Sequence, residues 1–238
     1  GVDQPGQLFA VIQGTSMSSP HLAGAGALLK ALHPTWTPAQ MRSALMTTAL
    51  DAGIRAHDPD PNNGDDSLAN PADPFDTGAG RIDLRQAGRA GFVLDESAAG
   101  FQAANPALGG DPATLNLASL SQANCVATCT WARTLTSTQA KAITWAATAT
   151  ADAGLTLQIE PASFTLNPGA SQTIHITANV TALALNQWAA GAVRFTPSKE
   201  NIPAAHFPVT VQSSPGQLPA AVTIETRRNA GVYTIAGL

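Results

Sequence analysis

The chain has 238 residues, room for one or two domains. Only 12% of them are charged, about half the usual share, and the net charge of −4 has the wrong sign for general nucleic-acid binding. No apolar run approaches the roughly 20 residues of a membrane helix, so no membrane span is expected. The hydrophobic fraction of 44% is ordinary and sufficient for a core.

The charges are unevenly spread. Ten of the sixteen acidic residues fall between positions 51 and 96, and residues 101–200 carry only eight charges in all. This shift in composition places a domain boundary near residue 100, with units at 1–100 and 101–212 and a tail at 213–238.

In the first unit, residues 17–32 predict a helix rich in Leu and Ala, with Lys30 its only charge. A helix apolar on nearly all sides belongs inside a larger body than residues 1–100 obviously supply. Gly24 and Gly26, each costing about 1 kcal/mol relative to Ala, point to close packing there. A second helix is marked by Thr37 as N-cap, Pro38 at the first helical position and Gln40 completing a capping box. Its apolar face is Met41, Ala44, Leu45 and Ala49. Residues 51–74 read as a polar loop, and a shorter helix is expected over 82–90, ending at Gly91.

Residues 101–212 change character to short Thr-, Val-, Ile- and Leu-rich segments between turn residues. Ile174, Ile176, Ala178 and Val180 alternate along one face of a strand, and 155–159 alternate similarly. Asn167-Pro168-Gly169 is a turn signal between two such segments. The spacing predicts an all-β sandwich. In the tail, β-prone segments at 221–226 and 232–235 either finish the sandwich or open a further domain.

One motif carries chemistry: Gly14-Thr15-Ser16-Met17-Ser18-Ser19-Pro20-His21-Leu22-Ala23-Gly24. Small residues at 14–16 allow a tight turn with an exposed hydroxyl. Pro20 fits a first helical turn, where a missing N–H is no loss. The positive end of the helix dipole would face an oxyanion formed at Ser16. This box resembles the catalytic-serine box of the subtilisin-like serine proteases over eleven consecutive positions. The run from Leu32-His33-Pro34 to Thr47-Thr48-Ala49 is similar to the family as well. So is Phe75-Asp76-Thr77-Gly78-Ala79-Gly80-Arg81-Ile82-Asp83, which resembles its closing segment.

The resemblance implies a mixed fold: the C-terminal helical part of a subtilisin-like α/β catalytic domain, then a fibronectin type III-like sandwich. It implies that Ser16 is the nucleophile and that its own N–H is one oxyanion donor. In the family the Asp box, the His box and the oxyanion Asn all precede the serine. The fifteen residues before Ser16 hold no His or Asn, and their one acid, Asp3, lacks the family context. The expectation is therefore a serine endopeptidase whose catalytic Asp and His lie in a missing N-terminal part of the domain, this chain alone being inactive. A non-catalytic binding module built on the sandwich is the alternative reading.

Asp76-Thr77-Gly78 matches the family's Asp-box string but follows the serine, so a solvated turn is favoured. His21 and His33 read as structural, His57 as solvated, and His175 and His206 as sandwich surface. None of the five sits in a His-Gly-Thr context. The acidic loop 58–66 invites calcium, but Gly64 and Ala69 break the helix–loop–helix calcium pattern. No cofactor or metal is expected in this chain, and calcium belongs at most to the parent protein. Cys125 and Cys129 form either a small-loop disulfide, which their closeness favours, or two free thiols. Asn179-Val180-Thr181 matches a glycosylation acceptor and is assigned no role. The expected partners are a protein or peptide substrate and, through the apolar helix, a second copy. The expected location is extracellular.

Overall fold

The computed structural model describes residues 14–56 and 70–216. His57, the acidic loop 58–66 and the β-prone tail segments lie outside the described residues.

The chain opens with α1 (Thr15–Leu32) and α2 (Pro38–Thr47). The capping box of α2 is present in both halves: Gln40 N–H donates to Thr37 Oγ1 (3.1 Å) and Thr37 N–H to Gln40 Oε1 (3.0 Å). Ala44, Leu45 and Ala49 are buried and Met41 is half-buried, as the spacing predicts. The first unit continues with a two-residue antiparallel ribbon, β1 (Arg55–Ala56) against β2 (Asn70–Pro71). Two single-turn helices follow, α3 (Pro74–Thr77) and α4 (Leu84–Ala87).

The helix expected over 82–90 is thus only α4. Asp83 sits at its N-cap, its Oδ1 accepting the Gln86 N–H at 3.1 Å, and Gly88 ends it. The chain must then straighten, because Phe92 and Val93 form strand β3. Gly91 leads into it: a Cβ there would lie 2.6 Å from Trp145 and from Ile202.

The next stretch holds α5 (Ala98–Ala103) and 3-10 turns at Pro106–Leu108 and Pro112–Thr114. Eight strands follow: β4 (Leu120–Cys125), β5 (Thr128–Ser137), β6 (Ile143–Ala151), β7 (Thr156–Glu160), β8 (Ser163–Leu166), β9 (Ser171–Asn179), β10 (Trp188–Pro197) and β11 (Ala205–Ser213). They build a two-sheet sandwich with orders β4-β11-β10-β6-β8 and β3-β5-β9-β7. Neighbours are antiparallel except β4 and β11, which run parallel. In β9, Ile174, Ile176 and Ala178 face inward and His175 outward, as alternation requires. Gly169 (φ +67°) turns β8 into β9 at the Asn-Pro-Gly signal.

An aromatic cluster fills the sandwich. Phe92 stands edge-on to Trp145 (4.9 Å between ring centroids) and Phe195 (5.5 Å), and Phe195 to Phe207 (4.9 Å). Phe92 comes from β3, eight residues before the expected boundary at 100. Phe92 and Leu94 belong to the sandwich core, whereas Val93 belongs to a smaller core with Ala25, Leu29, Trp36, Ala44 and Leu45. One strand therefore serves two cores through its alternate side chains.

Cys125 and Cys129 are disulfide-bonded, tying the end of β4 to the start of β5. Arg133 is buried in β5 and donates to the carbonyls of Leu117, Ala113, Ala132 and Ser119 at 2.7–3.1 Å. Burial pushes this guanidinium down to about 10, against a smaller upward pull from Glu96, so it is still charged at neutral pH. The clamp fixes the 113–119 segment across the sandwich.

Candidate active site

Ser16 lies one residue inside the amino terminus of α1 and is exposed. Gly14 precedes the helix at φ +136°, a backbone angle that favours glycine. The first helical bonds run from Met17 N–H (3.0 Å) and Ser18 N–H (3.2 Å) to the Gly14 carbonyl. The Ser16 N–H, one position earlier, stays outside that ladder at the positive end of an 18-residue helix. A hydroxyl and an amide on one residue therefore meet where negative charge is favoured.

Pro20 lies inside α1 rather than in its first turn. The carbonyl it deprives of an i+4 donor is that of Ser16 itself. The helix is thus loosened at the serine, a consequence that reading Pro20 as a first-turn residue misses.

Each described histidine is engaged elsewhere or exposed. His21 Nδ1 donates to the Met17 carbonyl at 2.6 Å. His33 caps the end of α1, stacks on Trp36 (3.8 Å, 8° between planes) and places Nε2 2.9 Å from the Gly88 carbonyl. His175 is exposed on the sandwich face. His206, expected at the sandwich surface, is only 5% exposed and bonds the Ala79 carbonyl through Nε2 at 2.9 Å. Its strand, β11, carries α2 and α3 on its outer side, so that face is covered by the first unit.

Asp76 completes a capping box. Its Oδ2 accepts the Asp73 N–H at 3.0 Å, while Asp73 Oδ1 accepts from Phe75 N–H (2.7 Å) and Asp76 N–H (3.2 Å). The Asp-Thr-Gly string is a helix cap. Beyond it, Leu50 and Arg81 exchange two backbone bonds (2.7 and 3.0 Å) that draw the closing segment onto the end of α2. Gly80 (φ +113°) allows this approach, since a Cβ there would fall 2.5 Å from the Leu50 oxygen.

A junction that sequence reading missed flanks that bridge. Arg194 Nη2 donates to Asp51 Oδ2 at 2.7 Å, and His206 Nε2 stands 3.8 Å from the same oxygen. Burial would raise the Asp51 carboxyl, but the Arg194 hydrogen bond and the positive groups beside it prevail and hold it below its ordinary 3.8. Arg194 and His206 are a cross-strand pair of β10 and β11. Pairing of that kind is the signal that, once strand register is known, marks these two together.

Among the described residues no group of three or more metal-ligating side chains converges, and no helix is long and apolar enough to cross a membrane.

The described residues thus place an exposed serine at a helix amino terminus and follow it with a sandwich joined through a shared strand. Residues 1–80 match the model of the subtilase family and residues 114–211 that of a fibronectin type-III domain. The chain carries a subtilase-family segment followed by a β-sandwich of the fibronectin type-III class. The subtilisin-like protease SBT2.5 of Arabidopsis thaliana is 31% identical over 205 residues, 76% of this chain and 25% of that protein. SBT2.4 of the same plant is 31% identical over 230 residues, 87% of this chain and 27% of its own length. SBT1.3 reaches 47% over 89 residues, 37% of this chain and 11% of its own. The chain spans about a quarter of the length of the SBT2 relatives it matches. Among solved structures, the ASH/PapD-like domain of human CEP192 aligns at 16% identity with a TM-score of 0.33, covering 42% of this chain and 82% of that one. That likeness is too weak to carry an argument.

Proposed function

We propose that this chain supplies the nucleophile of a subtilisin-like serine endopeptidase and that Ser16 is that nucleophile. The observation that carries the reading is the placement of Ser16: exposed, one residue inside α1, its N–H outside the helical ladder and its hydroxyl in the family's motif.

In this reading Ser16 Oγ attacks the scissile carbonyl of a peptide, and a base takes its proton. The carbonyl oxygen, now negative, is stabilised by the Ser16 N–H at the positive end of α1. The acyl-enzyme is then released by water. None of the five histidines sits in the family's His-Gly-Thr context, and among the described residues they are committed to the Met17, Gly88 and Ala79 carbonyls or exposed on the sandwich; in this reading the base and its orienting acid are contributed by residues outside this chain. The chain alone is then inactive.

The exposed leucines of α1 support the same reading. Leu22, Leu28 and Leu32 are 45%, 62% and 61% exposed, while only Ala25 and Leu29 of this helix are buried. In the parent protein the remainder of the catalytic domain covers them, and in the isolated chain a second copy does. The Cys125–Cys129 disulfide fits an extracellular protein. Protein or peptide is the substrate class.

The test is casein hydrolysis by the parent protein, its Ser16→Ala variant and the 238-residue chain. Turnover by the parent alone is expected. Turnover by the isolated chain would sink the shared-site reading, and an unaffected Ser16→Ala parent would sink the protease reading.

A further inference from the structure

A cleft of about 470 Å³ opens where the first unit meets the sandwich, with no residue of α1 among its described lining. Asp73 and Phe75 line it from α3 and its cap, Asp152 from the end of β6, and Trp188 from the start of β10. Phe75 and Trp188 stand edge to face, 5.0 Å between centroids at 85°. They are 62% and 39% exposed, whereas Trp36, Trp131 and Trp145 are buried to 9% or less. Exposed aromatics are rare in a chain that is only 5% aromatic, and two of them meet in this one cleft.

Among the described residues the lining is also one-signed, with two carboxylates and no basic residue. Among the described residues, each carboxylate accepts through one oxygen. Asp73 Oδ1 caps α3, and Asp152 Oδ2 accepts the Ala190 N–H at 2.7 Å. A carboxylate has a second oxygen with lone pairs to offer. Aromatic faces attract cations, most readily the planar, weakly hydrated guanidinium, and carboxylates accept its N–H groups.

We propose that this cleft binds the side chain of an arginine in a peptide or protein partner. The guanidinium lies against the Phe75–Trp188 pair and donates to Asp73 and Asp152. Ser16 is not among its described lining residues.

The one exposed tryptophan makes the site self-reporting. Titrate the 238-residue chain with a blocked pentapeptide of glycines around one arginine, following tryptophan emission, and repeat with citrulline in its place. A saturable change with the arginine peptide is expected, at least about tenfold weaker with the neutral citrulline. The D73N/D152N double variant keeps both capping oxygens and should weaken binding at least about tenfold, with an unchanged far-ultraviolet spectrum. Equal affinity for the citrulline peptide would overturn the proposal. So would unchanged affinity in the folded double variant, or saturation by a neutral oligosaccharide with no response to arginine. If the double variant does not fold, the citrulline comparison on the unmodified chain decides.

Discussion

Arg194 of β10 reaches across to Asp51, four residues past the end of α2, and closes an ion pair of 2.7 Å between the sandwich and the serine-bearing unit. The same carboxylate faces His206, whose ring holds the Ala79 carbonyl. Asp51 and Ala79 flank the isolated Leu50–Arg81 bridge, one on each of the segments it joins. The sandwich therefore holds both of the segments that this bridge joins. The pair is partly exposed, at 45% and 25% of side-chain area, so a double-mutant cycle of Arg194→Ala and Asp51→Asn should give a coupling of about 0.5–1 kcal/mol in urea unfolding.

The pH dependence of that grip has a definite sign. The Asp51 carboxyl is held below its ordinary 3.8 in the folded chain, so folding stabilises its charged form. The contribution is complete above pH 3.8 and is lost as pH falls through the depressed value. The gap in urea midpoint between the natural chain and Asp51→Asn should hold constant at neutral pH and shrink below that window. A gap that widens on acidification would contradict the assignment.

Gly80→Ala should cost roughly 1–3 kcal/mol, because the new Cβ meets the Leu50 carbonyl oxygen at 2.5 Å on a backbone of φ +113°. Equilibrium denaturation measures it. Gly24→Ala is the matched control: nothing lies within 4 Å of a Cβ there, so it should be neutral or stabilising.

Arg133→Met should destabilise the sandwich by about 3 kcal/mol or more. It removes the donors from four buried or half-buried carbonyl contacts without supplying others. Arg133→Lys should recover only part of the loss, since an ammonium cannot reproduce the planar fork. Thermal melts of both variants check the ranking.

Local signals carried some of this structure. Thr37 and Gln40 announce α2 because a capping box involves neighbours alone. The alternation of Ile174, Ile176 and Ala178 announces β9 because its outer face is open to solvent. The same logic fails for β11, where His206 reads as surface. Seven of its nine positions are buried, because α2 and α3 lie on its outer face, and alternation vanishes when both faces are covered. Phe92 and Val93 are equally illegible: two residues give no period, and their role in two cores appears only with the partner strands in place. Of the candidate site, Ser16 is legible as a motif. The Asp51–Arg194 pair, 143 residues apart in sequence, is not.

The measurement that bears most directly on Ser16 is labelling by a fluorophosphonate, which reacts with an activated serine hydroxyl. The parent protein and the isolated 238-residue chain are each exposed to the probe, digested and mapped by mass spectrometry. The expected result is a single adduct on Ser16 in the parent, absent from its Ser16→Ala variant and from the isolated chain. An adduct on another serine in the parent, or rapid labelling of Ser16 in the isolated chain, would contradict a nucleophile that waits on a base from outside this chain.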